Sequence, residues 1–415
     1  MKKLHYIVFL LFSGTAAWCQ NNNSPFSIIG IGDIDNNNYN RTSGIANTGM
    51  AYRSDRYIID NNPASYTALQ LQFLHFELAG RAQFVTYTGD PLNDVSKSSK
   101  DFAIKRLSIA TKVTKWWGTG IGLRPFSTSN YQLTSVKNIQ GSSSPLPVQY
   151  EGTGGVNQIF WGNGFQVTKH FSVGLNLSYL FGSLTQTEAL STSDLQTALV
   201  TTRQFYLRKL YFTYGAQYYF ALNKKWDVAL GGTFSNKTDM NTQSTVQITN
   251  NGVVVPNTPL QQDGKYRLPG SAGGGFRIVK NKRYSFSVDY QYQPWSNTNY
   301  RGTNYTLQNS NRISAGFEVS NKRAVYKELY ERSYFQAGVY YGNSYLNVNG
   351  KQLNDMGLNL GYGLTSFKNP LGAAISLELG QRGTTQNGLV KETYVNINFT
   401  ISHIDQLLTK GRKYF

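Results

Sequence analysis

Strict alternation of apolar and polar residues recurs along this chain, and it restricts the fold more than any other feature of the sequence. From Phe171 to Tyr179 the odd positions Phe171, Val173, Leu175, Leu177 and Tyr179 are apolar or aromatic, while the even ones are Ser172, Gly174, Asn176 and Ser178. Tyr284 to Tyr292 repeats the pattern, with Ser285, Ser287, Asp289 and Gln291 on the second face. Near the end, Val395, Ile397, Phe399 and Ile401 alternate with Asn396, Asn398, Thr400 and Ser402. A period of two describes a strand with one apolar and one polar face, and a helix does not tolerate it.

The first residues say where such strands end up. Lys2 and Lys3 precede the apolar run Tyr6 to Phe12 and the small residues Thr15 to Ala17, which reads as a secretory signal peptide over residues 1–19. Cleavage after Cys19 leaves Gln20 first and removes the only cysteine. A lipidated Cys19 is the competing reading, and Trp18 argues against it because that site wants a small residue there. Beyond this segment no stretch approaches the roughly 18 consecutive apolar residues of a membrane helix. Yet the chain carries 29 Tyr, 23 Phe, 6 Trp and 40 Gly with only 15% charged residues, a balance that suits strands facing lipid. The formal charge of +18 does not point to nucleic acid in an exported chain. Outer-membrane lipid and the phosphates of lipopolysaccharide are partners at hand. The alternative is a basic lumen and rim that need no partner.

The connections supply strand number and orientation. Thr114–Trp117, Thr168–Phe171, Asn223–Trp226, Lys280–Tyr284 and Phe367–Pro370 each place lysine at a tight turn, four of them beside an aromatic residue, as at a periplasmic rim. Long polar stretches alternate with them, near 89–100, 134–148, 185–202, 236–265, 294–308, 343–355 and 382–391, and read as external loops. Counting between the connections gives about fourteen antiparallel strands, an even number with both ends on the periplasmic side. One turn is longer, and Val325 to Tyr330 within it reads as a short periplasmic helix. The expected fold is an all-β transmembrane barrel over residues 72–402, followed by a periplasmic tail over 403–415. Residues 20–71 lack strong alternation, and their length suits a plug inside the barrel, with a periplasmic tail as the alternative.

Within that segment, the run Arg41-Thr-Ser-Gly-Ile-Ala-Asn-Thr-Gly49 precedes the tripeptide Asn62-Pro63-Ala64. Tripeptide, plug length and strand count together resemble the long-chain fatty acid transporter (FadL) family of outer-membrane barrels, across essentially the whole mature chain. The resemblance implies an N-terminal hatch that blocks the lumen and a sideways exit at a kinked third strand. Here that strand is expected from Trp117 to about Val136 and contains Pro125, which lacks the ladder N–H and suits an edge or bulge. Pro125 is therefore the lateral-opening candidate, with a local bulge of no transport role as the alternative. The external stretches are rich in Ser, Asn and Thr, which departs from a greasy ligand-capture surface. A subgroup of the same family serves as an accessory subunit of a secretion translocon, where the barrel binds a protein partner.

Alternation also assigns the lumen. With Leu74, Phe76 and Leu78 facing lipid, His75, Glu77 and Arg81 face inward, as do Arg106, Lys112, Arg124, Arg277, Asp289 and Glu378. Arg81, Arg106, Arg124 and Arg277 are the ligand-binding candidates, able to grip a carboxylate by paired hydrogen bonds. Pairing with Glu77, Asp289, Glu378 or plug backbone is the structural alternative. No catalytic site is expected. His170 falls in a turn and His403 beyond the last strand, so only His75 reaches the lumen, and nothing marks a partner serine. Nor does any spacing suggest a metal site or a cofactor, since Gly270–Gly275 lacks the Gly-Lys-Ser/Thr ending of a phosphate loop and suits close approach of the plug backbone. The expected function is passive uptake of a small hydrophobic molecule such as a long-chain fatty acid. A structural or partner-binding barrel in a secretion or surface assembly is the alternative.

Overall fold

The computed structural model describes residues 24–89, 98–138, 145–192, 197–256, 258–298, 305–325, 328–365 and 370–407. The expected signal peptide and the last residues of the expected tail lie outside them. Fourteen antiparallel strands close on themselves as a barrel. In chain order they are β1 (Phe73–Thr88), β2 (Ser98–Lys112), β3 (Trp117–Thr128), β4 (Leu146–Gln166), β5 (Phe171–Thr192), β6 (Thr197–Asn223) and β7 (Trp226–Ser235). The remaining half comprises β8 (Ser271–Lys280), β9 (Tyr284–Gln293), β10 (Ser310–Val325), β11 (Glu328–Val348), β12 (Lys351–Thr365), β13 (Leu371–Gly383) and β14 (Lys391–Gln406). Closure comes from β14 pairing with β1, in register from Phe73–Gln406 to Thr88–Lys391. The last strand thus continues past 402 and contains His403.

Alternation sorts the two faces of the wall. On β5, Ser172, Asn176 and Ser178 are buried inside, while Tyr179 is exposed outside. On β6 the outward side chains Leu210, Phe212, Tyr214, Tyr218 and Leu222 form an exposed apolar run. Twelve residues at ~3.3 Å each, tilted by about 45°, span about 28 Å of height, which matches the apolar band of a barrel in a bilayer. Among the described residues no helix is long and apolar enough to cross a membrane.

Several polar stretches expected as loops are strands instead. β6 runs for 27 residues and β5 for 22. Two further strands, Thr238–Asn250 and Leu260–Leu268, rise from the 236–265 stretch, the first pairing with the upper half of β6 and the second with the first. Above the lipid both faces meet water, so the apolar alternation disappears from the sequence while the backbone ladder continues. The described residues of the stretch expected as a helix, Val325 and Glu328 to Tyr330, are strand: Val325 ends β10, Glu328 begins β11, and the two face each other in the ladder.

Candidate functional site

The described part of the N-terminal segment, Ser24 to Leu71, packs against inward-facing residues of the strands and is buried along most of its length. It contributes three short 3-10 helices, Pro25–Ile28, Arg41–Ile45 and Pro63–Ala68. Asn62 is fully buried and caps the third, its side-chain oxygen accepting from the Ala64 N–H at 3.1 Å. Its amide nitrogen donates to the carbonyls of Met50 at 2.9 Å, Ala216 at 3.0 Å and Gly232 at 3.2 Å. The Asn62-Pro63-Ala64 turn is thus tied to β6 and β7 as well as to its own segment. The glycine cluster lies close to the same segment: a Cβ on Gly275 would come within 2.8 Å of the Met50 Cβ.

Charge pairs fix the segment to the wall. Arg41, 5% exposed, pairs with Glu318 at 3.2 Å and with Glu331, and its guanidinium lies over the Tyr334 ring at 3.8 Å. Glu318 also accepts from Tyr52 at 3.1 Å and from Gln336 at 2.6 Å. Burial alone works against the Arg41 charge, but Glu318 and Glu331 outweigh it and hold the guanidinium well above its usual range. Arg53 has no such acid. It donates to Ser172 at 3.0 Å, Gln217 at 2.8 Å and Thr67 at 3.0 Å, and burial lowers it to about 10. On β9, Asp289 accepts from the Gly49 and Met50 N–H groups at 2.8 and 2.9 Å.

All four candidate arginines point into the lumen, and each meets a protein partner there. Arg106 pairs with Glu77 at 2.5 Å and with Asp60 at 3.1 Å. Arg277 pairs with Glu318 at 3.2 Å and donates to Ser287 at 3.1 Å. Arg124 reaches Asp60 at 3.4 Å and also Asn38. Arg81 donates to the Tyr39 hydroxyl at 3.1 Å. Lys112 donates to the Thr67 carbonyl at 2.6 Å, His75 sits against the Arg56 carbonyl at 2.9 Å, and Glu378 accepts from Tyr340 at 2.8 Å. Of these partners, Asp60 and Glu318 carry no direct mark of that role in the sequence. Their signal was indirect, since charges on a segment inside the lumen require opposite charges on the wall. Among the described residues no group of three or more His, Cys, Asp or Glu could hold a metal ion.

Beside β3 the wall is incomplete. The β2–β3 ladder runs only from Leu107–Leu123 down to Lys112–Gly118. At that level both strands bulge. β2 shifts register against β1 between Ala79 and Gly80, and β3 shifts against β4 between Pro125 and Ser127. The expected single third strand is correspondingly broken into Trp117–Thr128 and Tyr131–Lys137. On the β3 edge that β2 leaves, the N-terminal segment takes over. Asp33 and Ile34 pair with Thr128 and Ser127, and the Asp35 N–H donates to the Phe126 carbonyl at 3.0 Å.

Two luminal chambers, of about 170 and 190 Å³, and a groove of about 1120 Å³ adjoin this seam. Asp101, Lys105, Thr128 and Asn130 line both the first chamber and the groove, and Pro125 lines both the second chamber and the groove. Lys105, 5% exposed, reaches Asp35 of the N-terminal segment at 3.8 Å across the threshold. The chambers are lined chiefly by polar and charged side chains. The groove adds exposed apolar ones, Ile104, Tyr179 and Tyr206.

This architecture has known counterparts. The crystal structure of a Pseudomonas aeruginosa FadL homologue is similar over 88% of this chain and 98% of its own, with a TM-score of 0.57 and 12% identity. The Ralstonia pickettii toluene transporter TbuX is similar over 87% of this chain and 97% of its own, with a TM-score of 0.56 and 14% identity. The Pseudomonas putida toluene transporter TodX is similar over 91% and 100%, with a TM-score of 0.55 and 15% identity. At these identities the likeness is one of fold. No curated protein sequence matches the chain. The family model described as BamG matches residues 1–414.

Proposed function

The chain belongs to the BamG family, and for this member we propose an outer-membrane barrel that passes an amphipathic molecule sideways, without an energy source, at the seam between β2 and β3. In this reading residues 20–71 act as a plug anchored through Asn62-Pro63-Ala64, and Pro125 keeps the lateral opening from zipping shut. One observation carries it: chamber and groove meet at Asp101 and Lys105. Backbone left unpaired at membrane depth is tolerated where it lines a cavity or is buried in protein, which fits a seam kept as a passage. The polar threshold suits a molecule with a polar head and an apolar chain, such as a long-chain acid, better than a bare hydrocarbon. Two proteins of the same fold are named toluene transporters, which agrees with an apolar cargo.

The test is uptake of a fluorescent long-chain acid into vesicles carrying the protein, compared with Ala103→Trp, which fills the seam from its β2 side. Uptake should be saturable and fall severalfold in the variant, while the heat-dependent gel shift of a folded barrel is retained. Equal uptake by both proteins, or none by either, overturns the passage.

A second reading is a barrel that binds a protein partner in a secretion or surface assembly. What favours it is that Arg81, Arg106, Arg124 and Arg277 already hold protein groups. Co-purification of a stable partner, with no uptake, would be its signature.

A further inference from the structure

We propose that the groove outside the seam seats the phosphorylated sugar headgroup of an outer-leaflet glycolipid, with an acyl chain along the apolar wall and a phosphate at Arg208. The inference rests on the membrane placement and the open seam of the proposed function, and it names a ligand for the outer side of that seam.

The groove has two chemically distinct walls. Ile104 of β2 and Tyr179 of β5 are 67% and 42% exposed and offer an apolar surface. The other wall carries a polar row, because Phe181 stands opposite Arg208, Arg208 opposite Asn241, and Asn241 opposite Lys265. Opposed residues share a face of the sheet, so guanidinium, amide and ammonium lie side by side. Asp263 follows on the same face two residues from Lys265 and lines the groove as well.

Position along β6 identifies the occupant. Outward side chains are apolar from Leu222 up to Leu210, and the next one is Arg208, which is exposed and makes no ion pair or hydrogen bond among the described residues. The cation therefore stands where acyl chains end and headgroups begin. A phosphate there gains a bidentate partner at Arg208 with Lys265 in the same row. Asn241 and Asp263 offer acceptors that a phosphate cannot use, whereas sugar hydroxyls can donate to them. A simple fatty acid or a phospholipid without hydroxyls would leave those acceptors unmatched. At about 1120 Å³ the groove exceeds the roughly 300–1,000 Å³ of ordinary small-molecule sites, as a lipid-sized ligand requires.

The experiment is native mass spectrometry of the full-length protein in mild detergent, offered bis-phosphorylated lipid A, its dephosphorylated form, or phosphatidylcholine, which has a phosphate and no headgroup hydroxyl, with inorganic phosphate as competitor. The phosphorylated glycolipid should bind about tenfold more tightly than either alternative, and Arg208→Gln should remove most of that preference, as loss of one charge-assisted contact implies. Lys351→Gln, an exposed cation on β12 away from the groove, should leave it intact. Equal binding of the dephosphorylated lipid or of phosphatidylcholine overturns the inference, as does displacement by equimolar inorganic phosphate or an Arg208→Gln protein with unchanged preference. The two readings fail separately. Lost lipid preference with intact acid uptake removes the headgroup site alone, and preserved preference without uptake removes the passage alone.

Discussion

Asp33 stands in register with Thr128, on the edge of β3 that β2 abandons above the Leu107–Leu123 pair. Side chains extend that contact, with Ser127 donating to the Ile31 carbonyl at 2.7 Å and Ser129 to the Ser27 carbonyl at 3.1 Å. An edge strand with unpaired backbone is a liability, and here residues 24–35 cover it. Deleting that stretch should leave the barrel folded but expose the edge. Amide exchange at Phe126 and Thr128, whose backbone groups face the segment, should accelerate at least tenfold, while Gly118 to Leu123, still paired with β2, should stay protected. Unchanged exchange at Thr128 would mean that the segment does not guard this edge.

The firmest attachment of the segment is the Arg41–Glu318 pair, because both partners are buried and Glu318 has further donors in Tyr52, Gln336 and Arg277. Breaking one side of a buried pair costs about 3–5 kcal/mol, since the other charge stays behind uncompensated. Arg41→Ala should therefore loosen the segment without unfolding the wall, and ion conductance across a planar bilayer should rise from near zero. Arg41→Lys should recover little, because an ammonium cannot serve two carboxylates and stack on Tyr334 at once.

Asn62 combines a helix cap with three carbonyl contacts, so Asn62→Ala should cost more than a cap alone. Loss of a cap is worth about 1 kcal/mol, and each carbonyl left without its donor adds to it. Asp at this position would keep the cap but turn a buried carboxylate oxygen, which can only accept, toward three carbonyls. Limited proteolysis of the N-terminal segment should rank intact protein most resistant, Asn62→Ala next, and Asn62→Asp least. Equal resistance of Asp and intact protein would show that the ties to Ala216 and Gly232 carry no load.

Wall and lumen were legible in the sequence because a membrane barrel imposes period two on every strand that faces lipid. The inward placement of Glu77, Arg106 and Asp289 follows directly from that rule. Lys105 does not, since the β2 bulge turns both Lys105 and Arg106 inward, 5% and 1% exposed, and alternation cannot foresee an extra residue. Strands beyond the lipid were equally hidden. Thr238–Asn250 has Ser, Thr, Gln and Asn on both faces, so its composition is that of a loop although its backbone is laddered on two sides. The glycine run near 270–275 announced a close approach, but only the structure identifies Met50 as what approaches.

The height of the apolar band can be measured through the same strand that defines it. On β6 Tyr214 and Gln204 both face outward, the first near the middle of the band and the second above it. An arginine facing lipid costs about 2–4 kcal/mol near the midplane and about 0–1 kcal/mol near the interface. Tyr214→Arg should thus destabilise the barrel by about 2 kcal/mol or more in denaturant titrations from lipid vesicles, and Gln204→Arg should be nearly neutral. Placing the upper boundary at Arg208 requires that order of effects. A costly Gln204→Arg would move the boundary at least four residues further along β6, putting Arg208 inside the hydrocarbon, where an unpaired guanidinium would be disfavoured and a headgroup could not meet it.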